Sequence, residues 1–478
     1  MAQCAVGAGG TKDQWEWSYV SCPVRHGSPF DVSEPAILFE GTEEFHRNPA
    51  AFYRALRQRY GALAPVYLAP DVPATLVLNW RTARRILHDP EHFPADPRTW
   101  QRTIAEDSPL LAMMGWHRSA RDTDGVEHLR YRQPSVAAID DVDLFAMHDR
   151  VEDFATRLID DFLPAGKADL VSQYAFPLYY AVLSKVFGCP HDIGQRVAAA
   201  MADRFNSGGA APGAMDTLDQ ALTELVEFRR AYPGQDITTR LIQHRVGLDD
   251  EEVVAQLLSM CGAGLQAGPN LVCNALLLAL TDERYGSSLI GGGLHTRDAV
   301  DRALFNAPPM TNFCITYPRQ PILVEDTWLP AHQPVIISIA ACNNDPAIAG
   351  GDDPGNRAHF AFGAGPHQCP ARTLAYQVTV DAIDYLFDLI PDITLAIPTD
   401  QLQWRPGMHH RALTALPTTF PPAERSGPPS DHSSPPPDAF PFPFYSQGDH
   451  NATRTTQRHR LGNGAYPGPA SGSAPARR

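Results

Sequence analysis

The chain has 478 residues, 44% of them hydrophobic and 9% aromatic, which is enough apolar material for one large core or two modest ones. Its 54 acidic and 39 basic residues leave a net charge of -15, which argues against a nucleic-acid surface and for a soluble protein. Eight cysteines, at Cys4, Cys22, Cys189, Cys261, Cys273, Cys314, Cys342 and Cys369, lack zinc-knuckle or Cys-x-x-Cys spacing, so a disulfide scaffold is excluded and a reducing, cytoplasmic setting is expected.

The first 40 residues are punctuated by Gly and Pro and predict a peripheral arm, with an aromatic patch at Trp15, Trp17 and Tyr19. They carry no signal-peptide or membrane-anchor pattern. Helical spacing begins near Glu43 with Phe45, Phe52, Tyr53 and Leu56, and Gly61 closes that helix. Residues 63–80 alternate as a short hairpin, and Trp80 to His88 returns to helix. From about 128 to 290 the pattern is helical, with segments at Val151 to Phe162, Ala175 to Phe187, Met215 to Tyr232 and Glu251 to Leu280. The breaker-rich stretch from Asn206 to Gly213 predicts a mobile loop. The run Leu271 to Leu280 is too short to span a bilayer and contains Asn274, so it predicts a buried helix and no membrane association.

Strand patterns follow at Pro321 to Val324 and Pro334 to Ser338, then a helix from Leu374 to Leu389 and a last hairpin from Ile393 to Trp404. Beyond Phe420 the chain turns rich in Pro, Ser, Gly and Arg, and its island of Phe440, Phe442 and Phe444 is too small to offset the ordering entropy. The reading is therefore an arm at 1–40, one body at 41–420 and a disordered tail at 421–478. The fold class is mainly α with small β-sheets.

Between Asn343 and the helix near Pro370 lies Phe362-Gly363-Ala364-Gly365-Pro366-His367-Gln368-Cys369-Pro370-Ala371. A cysteine in a Gly-rich turn just before a helix meets free backbone N–H groups, which lower a thiol pKa and can hydrogen-bond sulfur. That suits a thiolate facing a large planar metal cofactor. One cysteine alone specifies no metal, and a buried cysteine in a tight turn reads equally well.

The pattern Phe362-Gly363-x-Gly365-x-His367-x-Cys369-x-Ala371 resembles the haem-thiolate signature of the bacterial cytochrome P450 family. His128 and Arg132 resemble its propionate-binding pair, Ala341 to Pro346 its segment after the central strand, and Trp328 to Ala331 its Ile-Pro-Ala turn. The similarity covers roughly residues 40–415. It implies a helical body with a long central helix over haem b (iron protoporphyrin IX), with Cys369 as the iron ligand. Phe362, His367, His128 and Arg132 would then contact the cofactor.

Three departures stand out. Matching Ala299 to Pro309 onto the family's Glu-x-x-Arg helix puts Arg302 and Phe305 where the ion pair should be, as in a small actinobacterial subgroup. Apolar replacement of a buried ion pair is tolerable, because pairing and desolvation nearly cancel. Gly262 to Asn270 resembles the segment crossing the haem, but Gln266 and Ala267 replace its acid and threonine, so a titrating group and a hydroxyl are missing. Gly264 and Gly268 would permit close approach to haem or ligand, and Pro269 would open carbonyls that position water. Thr316 stands where a propionate arginine is usual, with Arg319 nearby as a substitute. The loop from Trp100 to Trp116, with Met113 and Met114, supplies candidate apolar walls for a small-molecule substrate.

The resemblance implies hydroxylation or oxidative coupling of an organic substrate, using dioxygen. Lacking a dinucleotide fingerprint, the chain would take its electrons from an external ferredoxin or flavodoxin served by a separate reductase. Two rival expectations are a peroxide-driven oxidase and a catalytically weak haem protein that serves ligand binding or accepts a product bound to a carrier or pathway protein.

Overall fold

Asn48 opens the first helix by accepting the Ala51 N–H at 3.0 Å, and Pro49 suits the first helical turn, where its missing N–H costs nothing. That helix, α1 (Pro49–Tyr60), ends at Gly61, whose φ of 75° a side chain would resist. Asn79 caps α2 (Trp80–Leu87) in the same way. The chain continues through α3 (Gly125–Asp140), α4 (Leu144–Phe162), α5 (Phe176–Phe187) and α6 (His191–Asn206). Next come α7 (Ala214–Ala231), α8 (Asp250–Thr281), α9 (Thr296–Asn306) and α10 (Arg372–Leu389). The computed structural model describes residues 25–28, 37–38, 45, 48–206, 213–282, 295–348 and 356–423.

The long helix α8 is the spine, packing against α5, α7, α9 and α10. Its start is secured by a capping box between Asp249 and Glu252, and Asp250 and Glu251 complement the positive end of the helix dipole. By length and composition α8 could cross a membrane, but 61% of its most apolar window is buried inside the protein, as a core helix requires. Helix α6 falls within the helical region without having been distinguished in the sequence. Its Ala-rich run from Ala198 to Ala202 carries little large-residue periodicity to read.

Strands β1 (Arg25–His26) and β2 (Ile37–Leu38) come from the predicted arm, which thus contributes to two sheets. The hairpin is β3 (Leu63–Ala69) and β4 (Val72–Val77), followed by β5 (Lys167–Asp169). Then come β6 (Asn312–Thr316), β7 (Ile322–Val324), β8 (Thr327–Leu329) and β9 (Val335–Ser338). The last two are β10 (Thr394–Leu395) and β11 (Pro417–Thr419). The largest sheet has the order β2-β3-β4-β9-β6, and two three-stranded sheets have the orders β1-β8-β7 and β10-β11-β5.

The hairpin expected at Ile393 to Trp404 is corrected. Residues Thr394 and Leu395 pair instead with Thr419 and Thr418, and Trp404 bridges to Leu413. The aromatic patch Trp15, Trp17 and Tyr19, the centre of the Asn206–Gly213 loop and the tail beyond residue 423 lie outside the described residues.

Candidate functional site

The cysteine loop is shaped by two glycines with left-handed backbone, Gly363 (φ 67°) and Gly365 (φ 68°). A Cβ on Gly365 would lie 2.0 Å from the Leu87 carbonyl oxygen, so the loop is seated directly on the end of α2. The Cys369 N–H donates to the Phe362 carbonyl at 2.8 Å, which closes the turn and fixes where the sulfur projects. The Ala371 N–H bonds the sulfur, and the Arg132 and Arg372 charges favour its ionised form. Burial outweighs all three and pushes the thiol above its ordinary value, whereas the sequence argument anticipated a lowered one. The helix itself begins at Arg372, with Ala371 as its cap and the Ala371 N–H as the backbone donor to the sulfur.

Three sequence-predicted residues converge beside it. His128 is 5% exposed on α3, its ring centroid 4.4 Å from that of His367. Arg132, one turn further along α3, donates to the Gln368 carbonyl. His367 Nε2 lies 3.3 Å from the Asp124 carboxylate, which also accepts the Ala95 N–H at 2.7 Å. Asp124 occupies the cap position of α3 but makes no capping bond to it, so its charge serves the neighbouring loop. Sequence reading missed Asp124, although an Asp before a helical Gly125 is a recognisable start signal.

Burial, then His367, then Arg132 push the His128 pKa down to about 4. Burial likewise takes His359, edge-on to Phe305, down to about 4. Both histidines bind protons more weakly folded than unfolded, so the unfolded chain takes up more protons below about pH 6.5. Stability of the haem-free protein is expected to be full above that value and to fall as pH drops towards 4. The loss should be on the order of 1–3 kcal/mol for each histidine. Denaturant midpoints measured across this window should flatten in His128→Gln and His359→Gln.

Helix α8 presents three different faces. Ala263 is exposed and Ala267 half-buried, one turn apart, so these two positions present methyl groups alone. A Cβ on Gly264 would come within 2.8 Å of Leu183, and one on Gly268 within 2.0 Å of the Tyr179 ring. These two glycines therefore admit helix α5, which corrects the expectation that they admit haem or ligand. Gln266 is 3% exposed, and both polar atoms of its amide are enclosed without a partner. Pro269 is buried and removes the N–H that the Leu265 carbonyl would accept, yet the helix runs unbroken through it. The adjacent Asn270 amide donates to the Gln266 carbonyl at 2.6 Å.

Arg319 is corrected as well. It is exposed and donates to the Glu91 carbonyl at 3.0 Å, away from the histidine pair, because its own N–H is tied to His92. Thr316 is buried against Val335. On α9, Phe305 is fully buried and Arg302 lies 3.8 Å from the Asp282 carboxylate. Phe362 is half-buried, 6.2 Å from the His359 ring. The loop from Trp100 to Trp116 borders a cleft of about 530 Å³. Gln101, Arg102 and Glu106 line it beside Leu111 and Trp116, so this wall is as polar as it is apolar.

The donor set fits a haem on two observations. The enclosed His128 Nε2 has no partner, and Arg132 is cationic in a partly desolvated place, a combination suited to incoming carboxylate oxygens. The half-buried sulfur of Cys369, held by a backbone N–H, is a soft donor of the kind haem iron accepts.

No family model matches the chain. Among curated proteins it is 27% identical to cytochrome P450 105A3 of Streptomyces carbophilus, covering 82% of this chain and 100% of that one. It is 26% identical to the 2-hydroxy-5-methyl-1-naphthoate 7-hydroxylase of Streptomyces carzinostaticus, over 72% and 88% of the two chains. Among solved structures, CYP154C4 from Streptomyces sp. W2061 superposes with a TM-score of 0.74 at 26% identity, covering 80% of this chain and 98% of that one. CYP154A1 from Streptomyces coelicolor A3(2) gives 0.71 at 25% identity, covering 81% and 100%. By sequence and by architecture together, the chain is similar to the bacterial cytochromes P450 and has their fold.

Proposed function

We propose that the chain is a haem-thiolate oxidoreductase that hydroxylates or oxidatively couples a small organic, natural-product-like substrate. The observation that carries this reading is the half-buried Cys369 sulfur, backed by the Ala371 N–H and flanked by Arg132. Bound there, haem b would supply activation of dioxygen with electrons from a ferredoxin or flavodoxin. Cys369 would be the iron ligand, and the His128 Nε2, Arg132 and His367 would hold the propionates. Asp124 orients His367 by their 3.3 Å contact, and Phe362 limits water beside the sulfur. Relatives named as hydroxylases and monooxygenases support the reaction class, and the pairing of Arg302 with Phe305 favours the subgroup without the Glu-x-x-Arg pair.

A second reading, oxidation driven by hydrogen peroxide, is favoured by α8. Neither Ala263 nor Ala267 can donate a proton, and the Gln266 amide is enclosed. The test compares both oxidants in the wild type and in Gln266→Glu with Ala267→Thr. With dioxygen and a redox partner, the double variant should form roughly tenfold more product per electron pair. An unchanged yield would show that protons arrive by another route. Product with peroxide, and none with any redox partner, would select the second reading.

A further inference from the structure

The segment that enters the cysteine loop is fastened at three points. The Trp80 indole donates to the Ala358 carbonyl at 2.9 Å, and the Phe360 N–H donates to the Asn343 side chain at 2.8 Å. The third point is Arg357. Its Nε lies 3.1 Å from the Asp301 carboxylate on α9, whose side chain is 7% exposed against 64% for Arg357. The guanidinium also lies over the ring of Tyr376, 5.4 Å from its centroid. Tyr376 belongs to α10, the helix that leaves the loop, and its hydroxyl donates to the Arg297 carbonyl at the start of α9.

A carboxylate this enclosed needs compensation, and both Arg357 and the Tyr376 hydroxyl interact with it. The Arg357 cation is supplied by the entering segment, 12 residues before Cys369, and the ring that supports it comes from the departing helix, 7 residues after (369 less 357, and 376 less 369). Both ends of the loop thus meet at one buried charge. We infer that Asp301, Arg357 and Tyr376 form a clamp that positions the Cys369 loop, with Asp301 as its fixed point. Asp301 and Arg357 are positioning residues, since neither touches the sulfur. The role assigned to them in thiolate ligation rests on the proposed haem reading; the clamp itself does not.

Hydrogen exchange on the full chain, free of haem, tests the clamp directly. In Arg357→Gln, amides 358–369 should exchange about tenfold faster, while those of β3 and β4 keep their rates. Asp301→Asn should do the same to a smaller degree, because it leaves no uncompensated charge. The double variant should exchange more slowly than Arg357→Gln alone. Unchanged exchange in both single variants, or effects that simply add, would overturn the inference. On haem-loaded protein, Arg357→Gln should shift part of the reduced carbon monoxide complex from thiolate to thiol ligation, and an unshifted spectrum would overturn the link to ligation. If the wild type takes up no haem, the oxidase reading fails, and the exchange data still decide the clamp.

Discussion

Cys369→Ser is expected to abolish the thiolate Soret signature of the reduced carbon monoxide complex while leaving the haem-free fold intact. Serine keeps the size of the side chain and the loop's Cys369 N–H bond to Phe362, which is a backbone bond. It replaces a polarisable thiol by an alcohol whose deprotonation is far costlier, so electron donation to iron is lost. Burial already pushes the Cys369 thiol upward in the haem-free protein, so iron must displace the proton when haem binds. The absorption spectrum of the reduced carbon monoxide complex checks the first point. Proton release on haem uptake, followed in weakly buffered solution, checks the second.

Gly365→Ala is expected to be the most damaging change in the loop that leaves every polar group in place. The left-handed backbone at φ 68° costs an alanine about 1–2 kcal/mol by itself. The new methyl would also lie 2.0 Å from the Leu87 carbonyl oxygen, a backbone atom that no rotamer change can move aside. The loop must lift off α2, and Cys369 lies four residues further on (369 less 365). Haem affinity should therefore fall by at least about tenfold, the equivalent of 1.4 kcal/mol. Gly125, also with positive φ but with nothing near its Cβ position, provides the control. Gly125→Ala should show only the backbone penalty in thermal unfolding and near-normal haem titration.

The candidate site was legible in the sequence where residue type and short spacing coincide. Cys369 and His367 lie two positions apart in a glycine-rich turn, and His128 and Arg132 one helical turn apart, so local geometry settles how each pair relates. The helices were legible where large apolar residues recur, as in α4 and α8. What stayed hidden depends on tertiary partners. Asp124 meets His367 across 243 positions, and Asp301 meets Arg357 across 56. Gly264 and Gly268 show the same limit, for a small residue announces close approach without saying what approaches. Two-residue strands such as β1 and β2 are too short to carry alternation, and β10 finds its partner 25 positions away rather than in the next turn.

The central claim is that one sulfur binds one haem. The direct measurement is the haem content and reduced carbon monoxide spectrum of the full chain, purified from cells supplied with iron and porphyrin precursor. One haem per chain with thiolate ligation is the predicted result. A colourless protein, or haem bound without thiolate ligation, would contradict it.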